Sequence, residues 1–265
     1  MERLACSWCN GQNDVTAKNC AHCGAPLDVA RRVTDSGWAE APRLRDLVEV
    51  PFGNSTCQID GEIVPVVEVG LAAGDGVFFD AHTLLWLAPG LQLESVSLAG
   101  GLKRFTAGMP SFITRASGPG RLALSRDAMG EVVVLLLDPS HEIDVRAHAF
   151  LMANHTINYS FVPVGGGMKQ AIHGAGMYMD RFVTNGQPGL LVLHGYGNVF
   201  ERTLAPGEKL SVEPGGFLYK DSSVTMELRQ QNVKTSAMRN GLYLQELTGP
   251  GRVAVQSMYH HVEFA

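Results

Sequence analysis

Four of the five cysteines of this 265-residue chain fall within eighteen consecutive residues near the start of the sequence. They form two C-x-x-C pairs, Cys6 with Cys9 and Cys20 with Cys23, and ten residues separate the pairs. Four thiolates at this spacing suit tetrahedral Zn²⁺, with Zn–S distances near ~2.3 Å. The sequence therefore predicts one structural zinc ion per chain, held by these four cysteines.

Other uses of the cysteines fit the pattern less well. Two disulfides would need an oxidising compartment, which nothing in the sequence indicates. A redox C-x-x-C usually occurs singly at the start of a helix. His22 lies between two ligands, but Cys23 is better placed by spacing. The segment resembles a short zinc ribbon, and four cysteine ligands leave no open position for catalysis, so residues 1–27 are interpreted as a structural zinc ribbon.

Charge argues against nucleic acid as a partner. The ribbon carries Arg3 and Lys18 against Glu2 and Asp14, and the whole chain has a net charge of −5. A nucleic-acid platform would be expected to show a basic patch. The ribbon is therefore predicted to contact proteins rather than DNA or RNA.

The sequence contains no segment that would direct the chain to a membrane. The N-terminus lacks the apolar stretch of a signal peptide, and no later run reaches eighteen uninterrupted apolar residues. A cytoplasmic protein without an integral membrane segment is the expectation.

The composition favours β-structure for the rest of the chain. Hydrophobic residues make up 45 %, and thirty glycines and thirteen prolines supply many turns. Residues 28–46 are polar and mixed in charge, with no sustained apolar period, and are interpreted as a linker with Trp38 as an anchor. The body is predicted to span 47–265.

The body contains two sets of internal repeats, which indicate a threefold duplication. Gly-Pro turns feed apolar strands at 117–125, 185–195 and 248–257. A turn followed by two strands recurs from Leu71, Leu137 and Leu204, at spacings of 66 and 67 residues. Apolar residues coincide at three positions of this second set: Val77, Ile143 and Leu210; Phe79, Val145 and Val212; Leu84, Phe150 and Phe217. Period-2 alternation places them on a buried face.

The repeats resemble the AIM24 family over residues 47–258. The resemblance rests on "NGLYLQELTGPGRVAVQS" from Asn240, "FLMAN" from Phe150, "GEKLSVEPGGFLY" from Gly207 and "GAGMYM" from Gly174. It implies a fold like that of the tryptophan attenuation protein (TRAP-like): three β-sandwich repeats of the double-stranded β-helix group, related by pseudo-threefold symmetry. The overall prediction is an all-β chain with an N-terminal zinc ribbon.

No catalytic motif is recognised in the body. G-x-S-x-G, H-E-x-x-H and P-loop patterns do not occur. His82 and His148 occupy equivalent repeat positions, but Gly215 stands in the third, which excludes a symmetric three-histidine metal site. The glycine-rich stretch 164–177, with Lys169 and His173, is interpreted as a loop between strands. Cys57 is expected to be a buried, inert thiol.

These observations favour a non-enzymatic binding or scaffold protein of unknown pathway, with the ribbon as a protein-contact module. The alternative is an enzyme or small-ligand binder that uses a pocket between repeats. A nucleic-acid regulator acting through the ribbon fits the charge poorly. Because a β-rich body must protect its sheet edges, a homo-oligomer is a further candidate state.

Metal analysis of the purified chain tests the ribbon. We expect one zinc ion per chain by atomic spectroscopy, because four thiolates complete the coordination shell. Replacing Cys6→Ser or Cys20→Ser removes one thiolate and is expected to abolish retention of the metal. Stoichiometric zinc in either variant would contradict the assignment of the ligands.

Overall fold

The computed structural model describes residues 3–5, 11–14, 17, 19–24, 27, 34, 36–41, 49–98, 111–164, 178–231 and 242–258. Over these ranges the chain is all-β, as predicted, and its strands form several antiparallel sheets. Two single 3-10 turns, Ala81–Thr83 and Pro214–Gly216, interrupt the strands. Within the same ranges no helix is long and apolar enough to cross a membrane.

The strands fall into a short leading group and three units of six. The leading strands are β1 (Arg3–Ala5), β2 (Gln12–Asp14), β3 (Ala39–Glu40), β4 (Val50–Phe52) and β5 (Ser55–Asp60). Unit 1 consists of β6 (Val66–Leu71), β7 (Gly76–Phe79), β8 (Leu84–Leu87), β9 (Gln92–Ser97), β10 (Phe112–Ser117) and β11 (Gly120–Ser125). Unit 2 consists of β12 (Gly130–Leu137), β13 (Glu142–Arg146), β14 (Phe150–Asn154), β15 (Ile157–Pro163), β16 (Tyr178–Thr184) and β17 (Gly189–Tyr196). Unit 3 consists of β18 (Val199–Leu204), β19 (Lys209–Val212), β20 (Phe217–Asp221), β21 (Thr225–Gln231), β22 (Leu242–Thr248) and β23 (Gly251–Gln256).

The same pairing pattern occurs in each unit. The first and third strands pair with the sixth, and the second and fourth strands pair with the fifth. Each third strand also skips one residue against the sixth, at Leu85, Leu151 and Leu218. Each unit thus contributes three strands to one sheet and three strands to another.

Four sheets result from this sharing. Sheet I has the order β4-β5-β6-β11-β8, and sheet II has the order β12-β17-β14-β7-β10-β9. Sheet III has the order β15-β16-β13-β20-β23-β18-β3, and sheet IV has the order β19-β22-β21. Sheets II and III therefore each combine strands from two successive units.

The sheets pack in sequence around three apolar cores. One cluster joins sheets I and II and includes Cys57, Phe79, Leu122 and Met152. A second joins sheets II and III, where Phe150, Tyr159 and Phe182 stack with ring centroids 4.9 to 5.6 Å apart. A third joins sheets III and IV. Because sheets II and III are covered on both sides, strands such as β14 and β17 are buried almost throughout.

Two interfaces between units have the same register. In sheet II, β7 pairs with β14, with Met152 opposite Phe79 and Ala153 opposite Phe78. In sheet III, β13 pairs with β20, with Tyr219 opposite Val145 and Lys220 opposite Asp144. The pairing of each third strand with its sixth strand shows that Met152 is equivalent to Tyr219 and that Ala153 is equivalent to Lys220. The two interfaces therefore repeat residue for residue.

The segment predicted as a linker contributes to the body. Within 28–46, β3 pairs with β18 at the edge of sheet III, and Ala41 is buried in the second core. Trp38 packs against the third core, as expected of an anchor. The domain boundaries at 27 and 46 stay predictions, and so does the pseudo-threefold axis. A closed threefold ring would pair β8 with β19, and these strands end sheets I and IV among the described residues.

Candidate functional site

The second cysteine pair of the predicted zinc site lies in a tight turn beside the β1–β2 hairpin. The carbonyl of Cys20 accepts the Gly24 N–H at 2.9 Å, and Gly24 has φ +74°, a conformation that glycine adopts without strain. The sulfur of buried Cys20 accepts hydrogen bonds from the Asn13 side-chain amide at 3.5 Å and from the His22 N–H at 3.4 Å. Cys23 is exposed.

This turn has the features that a thiolate ligand needs. N–H groups directed at sulfur favour the charged thiolate over the thiol. Cys6 and Cys9 lie outside the described residues, and in the sequence they fall between β1 and β2. No group of three or more metal-ligating side chains occurs among the described residues, which include two of the four cysteines. The four-cysteine site therefore stays a prediction.

A row of three charged side chains crosses the interface between units 2 and 3. Asp144 on β13 lies opposite Arg181 on β16 and Lys220 on β20. Lys220 Nζ lies 2.7 Å from one carboxylate oxygen of Asp144, and Arg181 Nε lies 2.7 Å from the other. Asp144 and Lys220 are buried, whereas Arg181 keeps partial contact with solvent. A buried carboxylate is thus held by two cations.

Opposing effects act on the pKa of Asp144. Burial raises the pKa, but hydrogen bonds and charges from Arg181 and Lys220 outweigh burial, so the net pKa lies below the ordinary value. The pKa of Arg181 is raised, chiefly by its hydrogen bond to Asp144. Asp144 and Arg181 therefore remain charged at neutral pH.

The charged row borders a small cavity between sheets III and IV. The cavity has a volume of about 230 Å³, and Asp144, Arg181 and Lys220 are among the residues that line it. The lining also includes apolar residues such as Met179 and Met226. Ligand pockets for drug-sized molecules usually span about 300–1,000 Å³. The space would suit an ion or a molecule of a few heavy atoms.

Comparison with known proteins supplies the family. The family model described as "Mitochondrial biogenesis AIM24" matches residues 57–258. The chain belongs to the AIM24 family. A crystal structure of protein SPYM3_0169 from Streptococcus pyogenes is similar, with a TM-score of 0.60 and 19 % sequence identity, over 77 % of this chain and 94 % of that chain. At this identity the likeness shows the fold alone. No curated protein matches.

The histidines of this AIM24-family chain do not converge on one site within the described residues. His141 Nε2 lies 3.1 Å from Asp221 and 3.2 Å from Arg252, at the interface of units 2 and 3. His155 Nδ1 lies 3.3 Å from the Gly76 carbonyl. His173 lies outside the described residues. The symmetric three-histidine site was excluded from the sequence, and His141 and His155 have separate local partners.

Among the described histidines, His194 has a pKa that is strongly lowered. It is 1 % exposed, and its Nε2 lies 3.2 Å from the Ala128 carbonyl. Burial lowers its pKa from 6.5 to about 4, and the charge of Arg126 adds to this effect. The imidazole is therefore neutral at physiological pH, and its charged form is disfavoured in the fold.

Two other predicted features have structural explanations. Cys57 is fully buried, and burial raises its pKa to about 12, which makes it inert as predicted. Asp75 and Glu208 lie at equivalent turns; Asp75 binds the turn between β4 and β5, and Glu208 binds its own turn and pairs with Arg202. Asp75 accepts the Asn54 N–H at 2.8 Å, and Glu208 accepts the Ala205 N–H at 2.8 Å.

The charged row was missed by sequence reasoning. In "EIDVR", the alternation places Asp144 on the face opposite Ile143 and Val145, and local sequence alone does not show that this second face is also covered. Asp144 is buried because sheet IV covers the other face of sheet III. The available signal was Lys220 inside the apolar run "GFLYKD", since lysine inside a buried strand requires a partner.

Replacing Asp144→Asn tests the charged row. The substitution leaves Lys220 buried without a counter-ion, and breaking a buried pair typically costs ~3–5 kcal/mol. We expect the free energy of unfolding to fall by about 3 kcal/mol, near the lower end because Arg181 is partly solvated. Urea denaturation followed by circular dichroism measures the change.

The matched control is Glu94→Gln, which removes the carboxylate from an exposed pair with Arg115 at 2.9 Å. Exposed pairs contribute ~0–1 kcal/mol. Adding Lys220→Met to Asp144→Asn should recover part of the loss, because the unpaired cation is removed. Equal effects at positions 94 and 144 would contradict the structural role of the row.

The pH dependence of stability tests His194. Between pH 6.5 and about 4 the unfolded chain binds a proton at this residue that the folded chain does not bind, so stability falls as the pH falls. The loss at pH 4 should reach about 3 kcal/mol, since one pKa unit corresponds to ~1.4 kcal/mol. Urea denaturation series at several pH values measure it.

The control for this prediction comes from the chain itself. Gln256 occupies the position in β23 that His194 occupies in β17, as the register against the third strands shows. The variant His194→Gln replaces the imidazole N–H donor by an amide N–H donor and does not titrate. Its stability should fall less between pH 7 and pH 4 than that of the wild type, and parallel curves would refute the prediction.

Proposed function

We propose that this AIM24-family protein is a non-enzymatic binding or scaffold protein. In this proposal a zinc ribbon held by Cys6, Cys9, Cys20 and Cys23 serves as a protein-contact module, and the three-unit body provides further contact surfaces. A cytoplasmic location fits, because clustered thiolates that bind zinc need a reducing compartment.

One observation carries the proposal: the edge strand β8 exposes a run of large apolar side chains. Leu85 is 57 % exposed, and Trp86 and Leu87 are each 41 % exposed. Contiguous apolar residues on an exposed edge strand are an unfavourable surface in water and are typical of contact sites. The described polar clusters, in contrast, are ion pairs that satisfy one another.

A small-ligand binder is the second candidate, and the cavity between units 2 and 3 is the observation that favours it. Arg181 and Lys220 there outnumber Asp144, so the ligand would be a small anion. Both cations already bind Asp144, which weakens their attraction for an added charge. A thermal-shift series with inorganic anions tests this candidate, and a stabilisation that disappears in Arg181→Gln would favour it.

Affinity capture with the full-length chain as bait tests the binding proposal. We expect a protein other than this chain to co-purify, and expect Cys6→Ser/Cys20→Ser to abolish its retention, because the ribbon loses its metal and its fold. The captured protein is then purified and its affinity for the wild-type chain is measured by calorimetry.

The matched control is Cys57→Ala, which removes a cysteine that is buried in the body. This variant should retain the captured protein at the wild-type level. Retention that is unchanged by loss of the ribbon cysteines, or no specific retention by the wild type, would contradict the proposed role of the ribbon.

A further inference from the structure

The strand β8 is exposed although its counterparts in units 2 and 3 are buried. Residues 151–153 of β14 are 0 % exposed, because β7 pairs alongside them. Residues 218–220 of β20 are at most 5 % exposed, because β13 pairs alongside them. Leu85, Trp86 and Leu87 of β8 are all large and apolar, but β8 ends sheet I among the described residues. Among the described strands, β8 has no neighbour equivalent to β7 or β13.

Among the described strands, β19 has no neighbour equivalent to β14 or β20, the third strands that pair with β7 and β13. It is the second strand of unit 3, as β7 and β13 are the second strands of units 1 and 2, and it pairs only with β22 among the described strands. Leu210 is partly exposed and Ser211 is exposed, whereas the equivalent Ile143 and Asp144 are buried. The two ends of the chain of units therefore leave two complementary edges.

The register of the two internal interfaces specifies how these edges would pair. Tyr219 lies opposite Val145 and Lys220 opposite Asp144, and Met152 and Ala153 repeat this register. The equivalent residues of β8 and β19 place Trp86 opposite Val212 and Leu87 opposite Ser211. Trp86 would thus be buried where Tyr219 is buried in unit 3.

The outer face of unit 1 has the same chemistry as the face of unit 3 that packs on unit 2. In β18 and β23 that face carries Glu201 opposite Ala254, followed by Arg252. In β6 and β11 the equivalent positions carry Glu68 opposite Ala123, followed by Arg121. Unit 1 therefore presents a docking face of the type that unit 3 already uses.

Charge at the rim supports the same match. Arg252 Nη2 lies 3.2 Å from His141, the residue that precedes β13. The equivalent of His141 before β19 is Glu208, and the equivalent of Arg252 is Arg121. Arg121 is exposed and pairs with Glu68 at 2.9 Å, and Glu208 pairs with Arg202, so the equivalent contact would bring Glu208 of a second copy to Arg121 as a further carboxylate.

From these observations we infer that β8 of one copy of this chain pairs with β19 of a second copy, in antiparallel register with Trp86 opposite Val212. The contact is head-to-tail, so successive copies build a ring or a linear chain. The inference deepens the binding role proposed above by naming a second copy as the occupant of the β8 edge. The inference rests on the proposed function only because it treats the β8 edge as a contact site. The capture experiment tests the ribbon and not this edge, so the proposed function and the inference can fail separately.

Charge substitution at one register position tests the inference. The variant Leu87→Lys/Ser211→Asp reproduces the Asp144–Lys220 pair of the internal interface, whereas Leu87→Lys/Ser211→Lys places like charges opposite each other. We expect the wild type and the first variant to exceed the mass of one chain in size-exclusion chromatography with light scattering, and the second to be monomeric. The dissociation constants of the two variants should differ by about tenfold, because opposite charges directly across two strands stabilise their pairing and like charges destabilise it.

The design separates loss of contact from loss of fold. Within one chain Ser211 lies opposite Glu246 on β22, so Ser211→Lys faces an acidic neighbour and Ser211→Asp faces a repulsive one. The monomeric variant is therefore expected to have the more stable β19–β22 pairing, and urea denaturation checks this. Unfolding cannot then explain its loss of assembly.

A second pair of variants tests the docking face. Arg121→Glu is expected to weaken assembly, whereas Arg115→Glu is not, although both arginines belong to exposed cross-strand pairs at 2.9 Å. Three outcomes would overturn the inference. The first is a wild type that stays monomeric at about 100 μM, since interfaces of standard size have dissociation constants from about micromolar to picomolar. The second is equal assembly of the two charge variants at 87 and 211, as pairing of β8 with β8 would give. The third is an equal effect of the substitutions at 115 and 121.

Discussion

The structure depends on the pairing of the second strand of each unit with the third strand of the next. This pairing makes sheets II and III continuous across units, and the register is the same at both interfaces. One side of sheet II packs in unit 1's core and the other side in unit 2's core, so the central strands of this shared sheet have no face in water. Central strands of such sheets must be apolar at almost every position. The continuous burial of β14, β17 and β20 follows from this constraint.

A charged residue can enter such a sheet only with a partner, and the two interfaces show the alternatives. At one register position the first interface has Phe78 opposite Ala153, and the second has Asp144 opposite Lys220. An apolar pair stabilises as much as a buried ion pair of this kind, because burial desolvates both charges. The ion pair instead makes the two interfaces chemically different. If the strands exchanged partners, Asp144 would face Ala153 and Lys220 would face Phe78, and each charge would then be unpaired. This difference favours the observed order of the units over an exchanged one.

The sequence predicted the all-β class and the family because both depend on local patterns. Matched apolar residues such as Val77, Ile143 and Leu210 do fall at equivalent strand positions, and residues 57–258 match the family model. The layered packing could not be read in the same way. Alternation in "EIDVR" correctly separates Ile143 and Val145 from Asp144, but no local pattern reveals that another sheet covers the second face. For the same reason β3, in a polar segment, was predicted as linker although its backbone pairs with β18. The cysteine spacing predicts ligands by chemistry, and the described Cys20 turn shows only the hydrogen bonds of one pair.

Terminal units are where an array of repeated units usually departs from its own pattern. A capping unit in such arrays carries a polar outer face, because no neighbour covers it. Unit 1 keeps part of this character in Glu68 and Arg121, but the same two residue types occur in unit 3 at a face that is packed. The apolar residues of β8 differ from a cap altogether, whereas the leading strands β4 and β5 protect the opposite edge of sheet I. Sheet I thus has one edge covered by strands of its own chain and, among the described residues, one edge that exposes large apolar side chains. The physical difference between the two edges of sheet I is the reason to expect that contact, rather than solvent, determines the sequence of β8.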